Sequence, residues 1–244
     1  LFFNTPARMK FMKSDSYEGS RVASAVQMQA LAHPEVAFTF IRDGKQELLS
    51  PGDGKLKSAM YAVFGRDIAL GFTPVQSEAE EVTVSGFVSL PACCRGTRSY
   101  QHFFVNGRQV KSRLLMTALE KAYENQKMVG KFPGCVVEVT LPNDMVDVNV
   151  HPAKTEVKFL NEKAVFDCVH YGVLGALAVH AVHAVGRQIS EGIQSSLNAL
   201  DLIARAAALQ GMQINRNSLF QQTDLHFGRH DTGRGKYRLH ILPV

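Results

Sequence analysis

The chain has 244 residues, of which 45% are hydrophobic and 20% are charged, a balance typical of a folded globular protein rather than a disordered one. Its formal net charge of +5 is too small an excess to identify a partner by itself. No secretory signal is predicted, because a charged segment, an apolar core and a small-residue cleavage site do not occur together. The longest weakly polar stretch, residues 173–185, is shorter than the roughly 20 residues that span a bilayer, so we expect a soluble protein without membrane contact.

The apolar pattern predicts these elements in chain order: a helix start at Thr5 and Pro6, helix 16–31, strands 36–42 and 46–49, helix 56–64, strands 68–74, 82–90 and 101–106, a helix from 112 or 113 to about 125, strands 135–141 and 146–150, an extended segment 155–159 and a helix from 162. Tight turns are expected at Asp43-Gly44 and Asn106-Gly107, and a polar turn over residues 76–81. Hairpins mixed with strand–helix–strand units predict an α+β sandwich with helices on one face.

The ends of the chain carry weaker signals. Residues 1–3 are apolar and predict the end of a strand whose upstream part lies outside this sequence. Beyond about residue 178, alanine-rich segments are compatible with helix, whereas the last thirty residues show no clear period. The four cysteines are not spaced like zinc ligands, so we expect reduced thiols in a cytosolic protein.

The most informative segment is DVNVHPAKTEV, residues 147–157. Strand alternation places Asp147 and Asn149 on the face opposite the neighbouring valines. Pro152 ends the strand and stiffens a loop that presents Lys154, a positioned cation able to reach a terminal phosphate of a nucleotide. The alternatives are that Lys154 is an ordinary solvated charge and that His151 is a structural residue.

A second signal is the absence of acidic residues between positions 82 and 119. This acid-free segment contains five cations without their usual partners: Arg95, Arg98, Arg108, Lys111 and Arg113. Lys111 and Arg113 flank a predicted helix N-terminus, whose unpaired amides also favour phosphate. The pattern indicates contact with a polyanion backbone without base reading, and the alternative is a solvated basic rim.

Three motifs carry a resemblance to a known family. LFFNTPARMKF, FVNGR and DVNVHPAKTEVKF, in this order, resemble the N-terminal region of the MutL family of DNA mismatch-repair proteins over residues 1–177. The resemblance implies an ATPase module of the GHKL type followed by a transducer domain with the ribosomal protein S5 domain 2-like fold, a two-layer sandwich with a mixed sheet. Residues 1–15 would close the ATPase module, residues 16–177 would form the transducer, and residues 178–244, which match no family segment that we can place, would be a linker or tail.

The same resemblance implies roles for residues. Lys154 would contact the γ-phosphate of ATP, on a loop supported by Asn149, His151 and Pro152, and the five cations of the acid-free segment would contact DNA. ATP and Mg²⁺ would be bound mainly by the module upstream, because the family's catalytic glutamate, Mg²⁺-binding asparagine and glycine-rich lid are not in this sequence. No catalytic residue or metal ligand is therefore assigned, and this chain alone should not hydrolyse ATP. The family's endonuclease motif is also absent from it.

Implied partners are double-stranded DNA, a second MutL-type chain and a mismatch-recognition protein of the MutS type, in a bacterial cytoplasm in association with the nucleoid. Two alternatives remain open at this point. The chain could be a stand-alone nucleic-acid-binding module of the S5-like fold, which would bind without nucleotide. It could also be the transducer of another GHKL ATPase, such as a type II topoisomerase or a chaperone. Against this alternative, the motif FVNGR followed by VNVHPAK resembles the MutL sequence pattern.

Overall fold

The computed structural model of the chain describes residues 4–148, 150 and 155–209, and at 196, 197 and 199–209 it describes the helical backbone only. The chain divides into two compact units, Leu1–His183 and Ala184–Val244. The first unit contains all the strands of the described chain, and the described part of the second is helical.

The described helices are α1 (Pro6–Met9), α2 (Asp15–Ala32), α3 (Leu56–Phe64), α4 (Arg66–Leu70), α5 (Arg113–Ala122) and α6 (Glu162–Leu209). The strands are β1 (Thr39–Arg42), β2 (Lys45–Leu49), β3 (Phe72–Ala79), β4 (Val82–Ser89), β5 (Gln101–Val105), β6 (Arg108–Val110), β7 (Cys135–Thr140), β8 (Val146–Asp147) and β9 (Lys158–Phe159). Short 3₁₀ helices occur at Pro91–Cys93 and Asn143–Met145.

Five strands form one mixed sheet in the order β3-β4-β7-β5-β6, in which β5 and β7 run parallel and the other neighbours are antiparallel. Alternate residues of these strands, including Val84, Phe103 and Val137, are buried in the main core. Helices α5 and α6 cover this face through buried residues such as Leu119 and Val169. The predicted α+β sandwich with a mixed sheet is therefore confirmed.

A second, smaller hydrophobic cluster lies on the opposite face of the same sheet. Phe104 and Val136 pack there with Phe72, next to Leu31 of α2 and Met60 of α3. Helices α2, α3 and α4 thus cover part of the other face, a layer that the sequence pattern did not predict.

Two glycine turns were predicted correctly. Asp43 and Gly44 join β1 to β2 with φ of 51° and 75°, and Asn106 and Gly107 join β5 to β6 with φ of 48° and 75°. The Asn106 side chain also holds the end of β7, because its amide donates to the carbonyl of Leu141 at 2.9 Å and its oxygen accepts from the Leu141 N–H at 3.1 Å.

Other predicted boundaries need correction. The strand expected from residue 68 begins at Phe72, because Ile68 belongs to the short helix α4. The polar segment 76–81 is mostly strand, since β3 pairs with β4 as far as Ala79 and the backbone turns only at Glu80 and Glu81. Ladder pairing uses backbone groups, so polar side chains on an exposed face do not prevent it.

The last helix begins at Glu162, as predicted, and its expected contacts are confirmed: Val165, Val169 and Val173 are buried and Phe166 is partly buried against them. It continues without interruption to Leu209. Among the described residues, one helical segment, Glu162–Ser195, has the length and the apolar composition needed to cross a membrane. This segment is longer than the weakly polar stretch 173–185 identified from the sequence. The buried valines show that the first turns of this helix belong to the core of the sandwich.

Candidate functional site

The residues of the predicted nucleotide-sensing loop, Asn149, His151, Pro152 and Lys154, lie outside the described residues, so their roles stay predictions. The segments on both sides of this loop are described. The strand expected over 146–150 is ladder-paired at β8, where Val146 pairs with Phe159 and Asp147 with Lys158 of β9.

Both ends of this loop are tied to the sandwich. On one side, the Leu160 N–H donates to the Met145 carbonyl at 2.9 Å beside the β8–β9 ladder, and Phe159 is buried in the main core. On the other side, the N–H of Lys111 donates to the carbonyl of Thr155 at 2.6 Å. Lys111 directly follows β6, the edge strand of the sheet. The described residues on both sides of the loop therefore have defined attachments to the sandwich.

A cleft of about 610 Å³ opens beside this attachment, between α2, the end of α3 and strands β5 and β6. Its lining residues are Arg21, Ser24, Ala25, Gln27, Met28, Val63, Phe64, Ser99, Tyr100, His102, Gln109, Lys111 and Thr155. The Phe64 ring stacks on His102 with centroids 5.6 Å apart and meets the Tyr100 ring edge-on at 5.6 Å. Burial lowers the pKa of His102 to about 4, so this ring is neutral at physiological pH.

The lining of the cleft combines two cations with hydroxyl groups and several apolar and aromatic side chains. Arg21 and Lys111 supply cations on its lining, and Ser24 and Thr155 supply oxygens. In the described part of the chain there is no group of three His, Cys, Asp or Glu residues that could hold a metal ion. Arg21 and Lys111 can therefore contribute positive charge to an anion in the cleft.

The five predicted DNA-contacting cations are all exposed. Arg113 is the first residue of α5, and it lines two grooves. One groove, of about 470 Å³, also contains Lys111, Lys158 and Glu156. The other, of about 410 Å³, also contains Arg98 and Glu120. The fold thus brings Arg98, Lys111 and Arg113 to neighbouring grooves, whereas Arg95 and Arg108 are not among the described residues that line them.

The helix predicted to open at residue 112 or 113 begins at Arg113, and Ser112 is its N-cap. The Ser112 hydroxyl accepts from the Leu115 N–H at 3.4 Å, and the first turn of the helix contains no acidic residue. The positive end of the helix dipole therefore lies beside Lys111 and Arg113, which favours a phosphate there.

One of the cations is paired, contrary to expectation. The Arg98 guanidinium donates to both carboxylate oxygens of Glu120, at 2.6 and 3.0 Å, and its carbon lies 4.0 Å from the Phe132 ring centroid. These hydrogen bonds lower the pKa of Glu120. The expectation that this cation lacks an acidic partner was wrong, because Glu120 follows the acid-free segment directly in sequence and α5 returns it to Arg98.

Sequence reasoning also missed three cations that the structure places near these surfaces. Arg21 of α2 lines the cleft with Lys111, and no local pattern signals this because the two residues are far apart in sequence. Lys127 and Lys131 follow α5, and Lys127 lies 5.9 Å from the Phe132 ring centroid. The segment KMVGK, in which lysines flank two apolar residues, was an available signal for that pair.

Comparison with known proteins now identifies the family. The family model described as "DNA mismatch repair protein, C-terminal domain" matches residues 60–178. MutL from Agathobacter rectalis is 40% identical over 166 residues, covering 68% of this chain and 26% of that protein. MutL from Desulforudis audaxviator is 42% identical over 177 residues, covering 72% of this chain and 31% of that protein. The chain belongs to the MutL family. It spans about a third or less of the length of these relatives.

Further matches refine this assignment. MutL from Streptococcus mutans is 35% identical over 226 residues, covering 92% of this chain and 32% of that protein. The likeness to MutL therefore extends well beyond residue 177, contrary to the expectation that the last segment matches nothing. A solved structure, the N-terminal domain of a DNA repair protein, has a TM-score of 0.60 and 22% identity, covering 75% of this chain and 60% of that one, which shows a shared fold. The MutL assignment and the α+β sandwich agree with the expected S5 domain 2-like fold.

Proposed function

We propose that this chain is the transducer region of a MutL protein acting in DNA mismatch repair, with Lys154 contacting the γ-phosphate of ATP held by a GHKL-type module that precedes it. The observation that carries the proposal is the hydrogen bond between Lys111 and Thr155. Thr155 directly follows Lys154, so the proposed phosphate-sensing residue is one peptide away from a fixed attachment to the sheet edge.

This attachment provides a route for the signal. When Lys154 engages the phosphate, the force on its backbone reaches Thr155 and then Lys111, which lies between β6 and the cap of α5. A contact that exists only in the nucleotide-bound state shifts the population towards the conformation in which it forms. The N-terminal end of α5 carries Arg113, so the same shift would alter the proposed DNA surface.

The domain organisation and partners follow from this reading. Residues 1–15 would complete the ATPase module, 16–177 would form the transducer, and 178–244 would be a linker or tail. ATP and Mg²⁺ would be bound mainly by the preceding module. A second MutL chain, a MutS-type protein and double-stranded DNA are the proposed partners, in the cytoplasm near the nucleoid. The MutL identity of the relatives supports them.

For DNA, we propose backbone contact through Arg95, Arg108, Lys111 and Arg113, with Arg98 contributing less because Glu120 already neutralises it. Contacts of this kind are electrostatic and independent of sequence. The capped helix start beside Lys111 and Arg113 supports a phosphate position at this point.

The nucleotide-sensing proposal is tested by Lys154→Ala in the full-length protein. We expect a lower ATPase rate and a loss of nucleotide-driven closure, measured by steady-state hydrolysis and by small-angle scattering with a non-hydrolysable ATP analogue. Lys158→Ala is the matched control, because Lys158 is an exposed lysine of β9, four residues after Lys154. Unchanged hydrolysis and closure in Lys154→Ala would remove the proposed role.

The DNA proposal is tested by reversing charge at Arg108 and Arg113. The double variant Arg108→Glu/Arg113→Glu should bind duplexes of any sequence more weakly, with a shallower salt dependence. Lys45→Glu, on the exposed hairpin strand β2, is the control for a general charge effect. Equal affinities for the wild type and the double variant would refute backbone contact at this surface. Undiminished DNA binding by the chain without nucleotide would instead favour a stand-alone nucleic-acid-binding module.

A further inference from the structure

The segment between α5 and β7 contains two adjacent, exposed apolar residues. Met128 is 74% exposed and Val129 is fully exposed, and together they form what we call the apolar tip. Single apolar residues on a surface are common. Two adjacent ones on the same turn form a small contiguous apolar surface, which makes them candidates for a binding contact.

The loop that carries the apolar tip is held by backbone hydrogen bonds. The Lys127 N–H donates to the carbonyl of Tyr123, a fully buried residue, at 3.2 Å, and the Lys131 N–H donates to the Met128 carbonyl at 3.2 Å. Gly130 provides the positive φ of 73° that this turn requires. The tip is therefore presented in a defined turn, which reduces the entropy lost when it binds.

Cations flank the apolar tip on both sides. Lys127 precedes it and Lys131 follows it, with Lys131 exposed. At the base of the loop, Arg95 and Phe132 exchange backbone hydrogen bonds of 2.8 and 2.7 Å, and the Arg95 guanidinium lies 5.9 Å from the Tyr100 ring centroid. The Phe132 ring is contacted by Arg98 at 4.0 Å and by Lys127 at 5.9 Å. The tip thus projects from a cluster of positive charge.

This cluster is continuous with the proposed DNA surface. The groove that contains Arg113 and Arg98 shares Thr117 and Glu120 with a second groove, which contains Lys127. The second groove also contains Lys121 and Glu124. Glu120 is paired with Arg98, so the three other cations of the two grooves, Arg113, Lys121 and Lys127, outnumber the remaining carboxylate, Glu124. A duplex contacting Arg113 would reach the apolar tip by following α5.

We propose that the apolar tip inserts into the minor groove of duplex DNA lying along α5, while Lys127 and Lys131 contact the phosphates on either side. This proposal rests on the DNA-binding part of the proposed function. Methionine and similar side chains are used as wedges between base steps by minor-groove proteins. Lysine on both sides of the tip favours a polyanion over a protein partner, because the centres of protein–protein interfaces are depleted in lysine.

The proposal is tested by separating the apolar and the charged contributions in the full-length protein. Binding of a fluorescein-labelled duplex is measured by anisotropy over a series of salt concentrations. Met128→Ser/Val129→Ser should weaken binding about tenfold at every salt concentration, because the buried apolar contact is lost and the salt slope is kept. Lys127→Gln/Lys131→Gln should reduce the salt slope by about two. Leu160→Ser, which removes another exposed apolar side chain, should leave both quantities unchanged.

Insertion also has a spectroscopic signature. A duplex with 2-aminopurine at a pyrimidine–purine step should gain fluorescence on binding the wild type, because unstacking relieves quenching, and should not gain it with Met128→Ser/Val129→Ser. Equal affinity and equal fluorescence for the two proteins would overturn the insertion, even if Arg113→Glu weakens binding and so supports the wider DNA surface. A wild type that fails to bind DNA would refute both. The insertion would also be overturned if Met128→Ser/Val129→Ser bound DNA like the wild type but lost binding to anionic lipid vesicles or to a MutS-type protein. That result would assign the tip to the partner whose binding is lost.

Discussion

The backbone N–H of Lys111 donates a hydrogen bond of 2.6 Å to the carbonyl oxygen of Thr155. Lys111 belongs to the proposed DNA surface, and Thr155 follows the proposed phosphate-sensing lysine. This contact therefore joins two regions that were predicted separately from the sequence. Because the donor is a main-chain group at the edge of the sheet, a change in its strength can be measured directly by amide exchange.

The first prediction concerns this amide. In the full-length protein, a non-hydrolysable ATP analogue should slow hydrogen–deuterium exchange of the Lys111 amide by about tenfold, since a typical coupling between sites is 1–3 kcal/mol. The reason is that Lys154, once fixed by the phosphate, restrains Thr155 against β6. Exchange is measured by NMR or by mass spectrometry of peptides covering residues 106–112.

Two variants make this prediction specific. Lys154→Ala should abolish the protection of the Lys111 amide, whereas Lys158→Ala should retain it. Slow exchange in both the presence and the absence of nucleotide, or protection that survives Lys154→Ala, would show that the hydrogen bond is structural and does not report on nucleotide.

The second prediction concerns the pairing of Arg98 with Glu120. Glu120→Gln should strengthen DNA binding about threefold at low salt, because it frees the Arg98 guanidinium for phosphate. Arg98→Gln added to this variant should cancel the gain. Glu124→Gln removes an equal charge from the same groove and is the control. Affinity is measured by fluorescence anisotropy as a function of salt concentration. An equal gain in DNA affinity for Glu120→Gln and Glu124→Gln would mean that only the net charge matters.

Much of the fold was accessible from local signals. The Asn106-Gly107 turn, the Ser112 cap and the closure of α3 at Gly65 each depend on residues next to one another in sequence, and all three are observed. The proposed phosphate-sensing loop was identified from a motif, and its geometry lies outside the described residues.

The features that were missed have physical reasons. Residues 66–70 contain the apolar run Ile-Ala-Leu, which is too short to distinguish a strand from a helix of one turn. Strand β6 has three residues, too few to show alternation. The Arg98–Glu120 pair depends on α5 bringing distant residues together, and no spacing rule encodes that contact.

The third prediction concerns pH. His102 has a pKa of about 4 in the fold, below its ordinary value of 6.5, because burial beside Phe64 disfavours the charged ring. Between these values the unfolded chain binds a proton that the folded chain does not. The stability associated with neutral His102 is therefore complete above pH 6.5 and is lost as the pH falls towards 4, by up to about 1.4 kcal/mol per pH unit.

Urea unfolding of the chain at several pH values checks this dependence. His102→Phe keeps a flat ring against Phe64 and should flatten the decline in unfolding free energy between pH 6.5 and 4. His183→Phe replaces an exposed histidine of α6. This variant should lose unfolding free energy between pH 6.5 and 4 as the wild type does. A His102→Phe protein whose stability falls with pH as steeply as that of the wild type would assign the decline to other groups.

The fourth prediction concerns Gly86, in the middle of β4. Its φ of +134° is a conformation that L side chains rarely adopt. A Cβ placed there would lie 2.1 Å from the carbonyl oxygen of Val136 and 3.1 Å from the Cα of Val137, both in the neighbouring strand β7. Gly86→Ala should therefore destabilise the chain by about 3 kcal/mol or more, since both the backbone and the strand spacing must change.

Gly96→Ala is the matched control for this substitution. Gly96 lies in the loop before β5, and among the described residues no heavy atom comes within 4 Å of the position its Cβ would take. Its unfolding free energy should stay close to that of the wild type, because a loop alanine adds no clash. Residue 86 lies in β4, which pairs with β3 on one side and with β7 on the other. The loss of stability in Gly86→Ala should therefore appear as a lower urea midpoint and as faster amide exchange in β3, β4 and β7. Similar midpoints for the two variants would mean that β4 can shift away from β7 without cost, against the tight pairing seen at the centre of the sheet.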